Sequence, residues 1–365
     1  MAITPRCGGR GDRERFAQRG GLRLALAARK PLTGGNAVMR FERSILFLLG
    51  AGVLMASRPA VSADLTCSSS ATLEALVTCI RDQMPGRDSG IFVTPTSTQL
   101  TAWRSVVRTM MGGSCRFVLP SSLSSSTRIR LLRDANNGRR YCVLMEVGDR
   151  NSDGTVDLGL GTFIVDAAAE RELAHSAPHA TADLETEIQA VSIFKATRSR
   201  SFLMAGAHRD ASFTDSVCQR STMVSDVAHN VTNAFHATYL ELAAFYGSRP
   251  WWGIQWHGMA RDTCAEDVFA SHGMDVAPVS GDKILELKRN LLAERPTWRV
   301  GVPGSSDCSL NATTNVQGRL LNFVSASQVC GRAATSYSGR FVHIEQDPAF
   351  RLADTWINAV KTTWP

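Results

Sequence analysis

From about residue 161 to the C-terminus, short apolar runs alternate with longer stretches of helical periodicity, and this alternation most limits what the chain can become. The runs are Thr162–Val165, Ser201–Ala205, Gly253–Trp256, Asp267–Ser271 and Phe341–Ile344. Between and after them lie helical stretches at Leu184–Thr197, Asp226–Phe245, Lys283–Ala293 and Ala349–Lys361. Such a pattern predicts an α/β fold built on a largely buried sheet. The segment before it, residues 64–147, reads as an accessory region of helices (Ala71–Gln83, Thr98–Met111) and β-like runs (Arg116–Pro120, Tyr141–Val147), with Ser121–Thr127 as a polar linker. All eight histidines lie between positions 175 and 343, so the chemistry is expected in a second region, 148–365.

What precedes residue 64 reads as export machinery. From Met39, Arg40 and Arg43 lead into the apolar run Ile45–Met55, which ends in the small-residue exit Val61-Ser62-Ala63. A run this short does not span a bilayer comfortably, and the order of charge, apolar core and small residues is that of a secretory signal cleaved after Ala63. An anchor helix that stays attached is the alternative. Residues 1–38 are rich in Gly and Arg without periodicity, an upstream extension that Met39 as the true start would leave untranslated.

The division changes the charge argument. The whole chain carries a formal +7, which would suggest an anionic partner such as nucleic acid or a membrane surface. Residues 1–63 hold 11 of the 40 Lys and Arg but 3 of the 33 Asp and Glu, leaving 29 positive and 30 negative groups in the remaining 302 residues. Nucleic acid therefore drops out as a default partner, and so does the membrane after cleavage. The same division removes Cys7 and leaves eight cysteines, an even number that suits a secreted or periplasmic protein. Neighbour pairing is expected: Cys67 with Cys79, Cys115 with Cys142, Cys218 with Cys264, Cys308 with Cys330. No C-x-x-C pair occurs, which disfavours zinc held by thiolates.

Several constellations could carry chemistry. Pro178-His179 stands four residues before Asp183 at a loop-to-helix junction, with Glu185 and Glu187 following. An imidazole and a carboxylate so placed are good zinc ligands, although Asp183 could equally be a helix cap. Trp252-Gly-Ile-Gln-Trp256-His257-Gly258 is a strand running into a His-Gly turn, where His257 could supply a distant ligand. Phe341-Val-His343-Ile344-Glu345 is a strand ending in a carboxylate that could serve as a general base. Arg209 of His208-Arg209-Asp210 could hold a substrate carboxylate while His208 donates to a carbonyl oxygen, and Arg319 and Arg351 are further clamps. His229 could face the substrate, with Asp226 as helix cap and His236 structural.

Together these segments resemble the zinc carboxypeptidase-like amidohydrolases, and within them the phage-type poly-γ-glutamate hydrolases and N-formylglutamate amidohydrolases. Thr186-Glu187 with Ala190 is similar to the Thr-x-Glu-x-Ala helix start of the former, Ile254-Gln-Trp-His257-Gly258 to their Ser-Ile-His-Gly strand end, and His343-Ile-Glu345 to the Gln-Leu-Glu strand of both. The resemblance covers about residues 161–356. It implies a three-layer αβα fold with a mixed sheet, and Zn²⁺ on His179, Asp183 and His257, one position being left open. It further implies Glu345 as general base in the cleavage of an amide, of a small or polymeric acidic substrate of γ-glutamyl or N-acyl amino-acid type. In those hydrolases the ligand carboxylate is a Glu five residues after the His; here the register points to Asp183, four after, with Glu185 as fallback.

Two further readings stand beside the enzyme. Asp149-x-Asn151-x-Asp153-Gly154, with Asp157 at the ninth position, matches the start of a calcium loop, but Leu160 stands where a bidentate Glu belongs, so a polar turn is the alternative to weak Ca²⁺ binding. Trp251, Trp252 and Trp256 could stack on a sugar, and a non-catalytic envelope protein that binds polymer or carbohydrate on a degenerate hydrolase scaffold is the alternative function. A serine hydrolase is disfavoured, because no G-x-S-x-G elbow is present.

Overall fold

The structure, a computed structural model, describes residues 64–365; the extension at 1–38 and the export signal at 39–63 lie outside the described residues. Eight α-helices are formed: α1 (Leu73–Arg81), α2 (Ser97–Met111), the single turn α3 (Ser121–Ser124), α4 (Thr186–Ala196), α5 (Ala234–Tyr246), α6 (Lys283–Glu294), α7 (Val316–Leu321) and α8 (Ala353–Thr363). Nine strands, β1 (Thr127–Arg133), β2 (Arg140–Glu146), β3 (Thr162–Val165), β4 (Arg171–Ala177), β5 (Ser199–Met204), β6 (Trp252–Trp256), β7 (Val268–Ser271), β8 (Val300–Gly301) and β9 (Phe341–Gln346), form one sheet in the order β1-β2-β3-β5-β4-β6-β9-β7-β8. The centre, β5-β4-β6-β9, is parallel; β1, β2 and β3 extend it antiparallel on one side, and β7 pairs antiparallel with β9 on the other.

The apolar runs follow from this. A strand covered on both faces sends alternate side chains into different cores. Phe202 and Met204 of β5 join one core with Leu76 of α1, Ile193 of α4, Leu287 of α6 and Trp356 of α8. Leu203 of β5 turns the other way, into a second core with Trp103 of α2, Phe235 of α5 and Leu321 of α7. The result is the expected three-layer αβα sandwich with a mixed sheet. The accessory stretch supplies α1, α2, α3, β1 and β2, and the boundary expected at 147 falls between two sheet neighbours, β2 and β3.

Two strands escape the apolar pattern. β1 reads Thr-Arg-Ile-Arg-Leu-Leu-Arg, and its three arginines suit an edge strand whose free side is turned to water. The expected run Arg116–Pro120 forms no strand, and β1 begins where the polar linker was expected to end. β4, Arg-Glu-Leu-Ala-His-Ser-Ala, is central yet polar, because its buried groups are satisfied internally. His175 Nε2 lies 3.0 Å from Ser199 Oγ, the Trp256 indole N–H donates to His175 Nδ1 at 3.1 Å, and Ser176 Oγ meets Tyr239 Oη at 2.8 Å. The helix expected from Asp226 starts at Ala234 instead, where Asn233 caps it by accepting the His236 N–H at 2.7 Å. The closing helix expected from Ala349 is broken: a 3₁₀ turn at Pro348–Phe350 precedes α8.

Four disulfides form. Cys67–Cys79 and Cys115–Cys142 are the expected neighbours, whereas the other four cysteines pair as Cys218–Cys330 and Cys264–Cys308. The correction is topological: the loop after β5 folds against the segment after α7, bringing Cys218 and Cys330 Cα atoms to 4.8 Å although 112 residues separate them. In the calcium-like turn, Asp149 accepts the backbone N–H groups of Asp153 and Gly154, and Asp157 accepts that of Arg150 at 2.6 Å. Its carboxylates form no metal-sized group with one another, so the polar turn describes it and Ca²⁺ is not supported. No helix among the described residues is long and apolar enough to cross a membrane.

Candidate metal centre

β4, β6 and β9 run parallel, so their C-terminal ends open on one side, where ligands of open α/β sheets bind. His179 stands two residues beyond β4. The chain there makes a helical turn, with the N–H groups of Ala182 and Asp183 both donating to the His179 carbonyl, at 2.9 and 2.8 Å. A turn of this kind places side chains four apart on one side, and the Asp183 carboxylate meets His179 Nδ1 at 3.3 Å. The four-residue spacing therefore brings Asp183 to the histidine, while Glu185, the fallback, is an exposed residue at φ 68°. Glu187 is also diverted: it is buried against Arg81 of α1 at 2.8 Å.

His257 follows β6 directly, and its Nδ1 lies 3.4 Å from the same Asp183 oxygen. At the next residue, Gly258, a Cβ would displace the Arg351 guanidinium, and the Gly258 N–H donates to Asp183 at 3.1 Å. One ligand atom each from His179, Asp183 and His257 lies within 4.8 Å of the others. A second group, sharing His257, adds His343 and Glu345. These two come from alternate positions of β9 and so face the same side, His343 Nε2 standing 3.4 Å from Glu345 Oε1. The residues bound a cleft of about 270 Å³ whose opposite wall is the 309–315 loop.

His179 and His257 each have their far nitrogen held. His179 Nε2 lies 3.1 Å from Asp226 Oδ1, and Asp226 also accepts from Arg209 at 2.6 Å. A carboxylate on Nε2 fixes the proton there and aims Nδ1 at Asp183. Gln255 Oε1 lies 3.3 Å from His257 Nε2 and is itself fixed by the Asn315 amide N–H₂ at 2.6 Å. Asp226, expected as a helix cap, instead holds His179 Nε2, and no local pattern marks it.

The electrostatics favour a cation at this point. Burial alone would depress His179, but Asp226 and Asp183 outweigh it and raise the imidazole to about 9. Asp183, despite its burial, is held far below the usual carboxylate range by His179 and His257. Burial keeps His257 neutral, down at about 4, and drives Glu345 up to about 8 with the help of the Asp183 charge. In the absence of a metal, a proton on His179 thus balances converging carboxylates. Two imidazoles, one carboxylate and an accessible cleft suit zinc in its three-ligand form. The buried, unpartnered Nδ1 of His343 is a further donor atom awaiting a partner.

The remaining expectations divide. Arg209 and His229 line the cleft. Burial holds His229 down at about 4, and its Nδ1 lies 2.7 Å from Gln219 Oε1. His208 does not line the cleft; its Nδ1 accepts the Asp210 N–H at 3.0 Å. Arg319 is turned away from the cleft, its donors taken by the carbonyls of Thr313, Val329 and Cys330. Arg351 is likewise occupied, by the carbonyls of Leu184, Met259 and Gln346. Both fail as free clamps because backbone carbonyls claim their guanidinium groups.

No family model matches the chain, and no curated protein matches it in sequence. Among solved structures it is similar to a metallo-carboxypeptidase from Burkholderia cenocepacia, at 10% identity and a TM-score of 0.30 over 75% of this chain and 69% of that one. It is similar also to a metallo-carboxypeptidase from Pseudomonas aeruginosa in complex with (2-guanidinoethylmercapto)succinic acid, at 10% identity and a TM-score of 0.29 over 74% and 69%.

Proposed function

We propose that the cleft is the centre of a zinc-dependent amidohydrolase that works outside the cytoplasm. The observation that carries this reading is the convergence of His179, Asp183 and His257 within 4.8 Å at the ends of parallel strands, beside a buried Glu345. Zinc, when bound, would polarise a scissile carbonyl and acidify a water. His179, Asp183 and His257 would hold it, and Asp226 and Gln255 would keep the two imidazoles in the required tautomer.

Glu345, in its ionised form, would take a proton from the water as the hydroxyl adds to the carbonyl carbon, and return it to the leaving amine as the C–N bond breaks. His343, 3.4 Å away, steadies that carboxyl group. Arg209, the one of the three expected arginines that lines the cleft, is itself paired with Asp226 at 2.6 Å and lies 3.3 Å from His179 Nδ1, so only its remaining N–H groups would meet a substrate carboxylate, as an N-acyl or γ-glutamyl amino acid carries. Four disulfides support an oxidising compartment, in keeping with the export signal expected at 39–63.

The test is metal analysis of protein purified without its first 63 residues and loaded with zinc, followed by hydrolysis of a panel of N-acyl and γ-glutamyl amino acids. About one zinc per chain, with turnover abolished by Glu345→Gln, is expected. Protein that remains free of metal after loading overturns the enzyme reading in favour of a binding protein.

A further inference from the structure

The opposite ends of the same strands carry a second feature. Trp252 opens β6 and Glu172 lies at the start of β4, while Tyr337 and Ser338 shortly precede β9. Two adjoining cavities, of about 360 and 250 Å³, meet there, and both are lined by Trp252 and Lys283. β6 is five residues long, about 16 Å at the usual rise per residue, which separates this groove from the metal cleft. Together the cavities fall within the size of small-ligand sites, about 300–1,000 Å³.

The lining combines aromatic rings with unspent polar atoms. Trp252 is half-buried, with Trp364 packed at 6.1 Å between ring centroids on one side. Tyr337 is held flat on His272, with centroids 3.9 Å apart, so its ring is fixed in the wall of the larger cavity. Asp282, 7% exposed, caps α6 through Oδ1, but its Oδ2 has no partner. Trp364, 3% exposed, has an indole N–H without an acceptor. Buried polar groups are normally paired, so an acceptor and a donor left over in the walls of adjoining cavities suit a ligand offering both.

The charges of the groove narrow the ligand further, because apart from the Asp282 carboxylate its charged side chains are paired on the protein. Lys283 donates to Glu286 and to the Thr363 carbonyl, Arg171 to the carbonyls of Trp364 and Thr197, and Glu172 accepts from Arg200 and Tyr246. An anionic polymer would find no free cation, whereas sugar hydroxyls donate and accept at once and a pyranose C–H face suits an indole ring. We propose that this groove binds a segment of neutral carbohydrate, independently of the metal cleft and of whatever is cleaved there.

The experiment titrates the chain lacking residues 1–63 with neutral oligosaccharides (cello-, chito-, malto- and xylotetraose) and, separately, with poly-γ-glutamate, following tryptophan fluorescence and calorimetry. Saturable binding of at least one neutral sugar is expected. It should weaken at least tenfold in Trp252→Ala and in Asp282→Asn, and persist in His257→Ala. Asparagine caps a helix as aspartate does, so Asp282→Asn separates a lost acceptor from a lost fold. Absence of saturable binding of any of the sugars, binding insensitive to both groove variants, binding lost with His257→Ala, or preference for poly-γ-glutamate in this groove would each overturn the proposal.

Discussion

The two ends of β4, β6 and β9 are built from the same three strands and differ in what they bury. At the C-terminal ends, His179, Asp183, His257, His343 and Glu345 crowd together, and each group's charge depends on its neighbours. At the N-terminal ends, charged groups pair off locally around Trp252 and Trp364. The difference is one of frustration: the first end holds more converging carboxylate and imidazole than the protein alone can satisfy, the arrangement expected where an ion is to be bound. The second leaves single polar atoms unsatisfied, at a cost proteins accept where a neutral ligand can complete them.

The contrast breaks most visibly if the cleft is not a metal centre. In His257→Ala we expect zinc to be lost and hydrolysis to fall to background; retention of full zinc by metal analysis would remove His257 from the ligand set. Glu345→Gln, by contrast, should keep the metal and lose about 10²–10⁴-fold in turnover, the range for a general base. Equal loss of metal and turnover would make Glu345 a ligand. Asp226→Asn leaves all three ligands in place but releases His179 Nε2, so zinc affinity, measured by chelator competition, should fall about 10–100-fold.

The strand interior between the two ends offers the smallest effect. Burial holds His175 down at about 3 against an ordinary 6.5. Folded protein therefore binds fewer protons at this site than unfolded chain does, and the associated stability, complete above pH 6.5, is lost as pH falls toward 3. By pH 5 the loss is about 2 kcal/mol. Denaturant melts at pH 7 and pH 5 should show His175→Gln losing less stability than the parent by about that amount; equal losses would mean that His175 is not held neutral.

The histidine–carboxylate turn was legible because its chemistry is local. His179 and Asp183 are one helical turn apart, and His343 and Glu345, or Gln255 and His257, share a face through the two-residue period of a strand. Asp226 and Asn315 were not legible, since each acts on a side chain far away in sequence: Asp226 reaches His179 across 47 residues, and Asn315 reaches Gln255 across 60. The arginines misled for a related reason. A guanidinium near a predicted site looks free in sequence, and only the folded loops show that backbone carbonyls claim Arg319 and Arg351.

The sequence by itself determined an α/β fold on a largely buried sheet, because apolar alternation and helical periodicity are properties of neighbouring residues that burial must respect. It also carries, beyond residue 63, a near balance of charge and an even set of eight cysteines. Tertiary structure alone decided which cysteines meet, which arginine faces the cleft, and that a polar strand such as β4 sits at the centre of the sheet. Those outcomes depend on closing loops of up to 112 residues and on pairing buried polar groups across strands, and no local pattern carries that information.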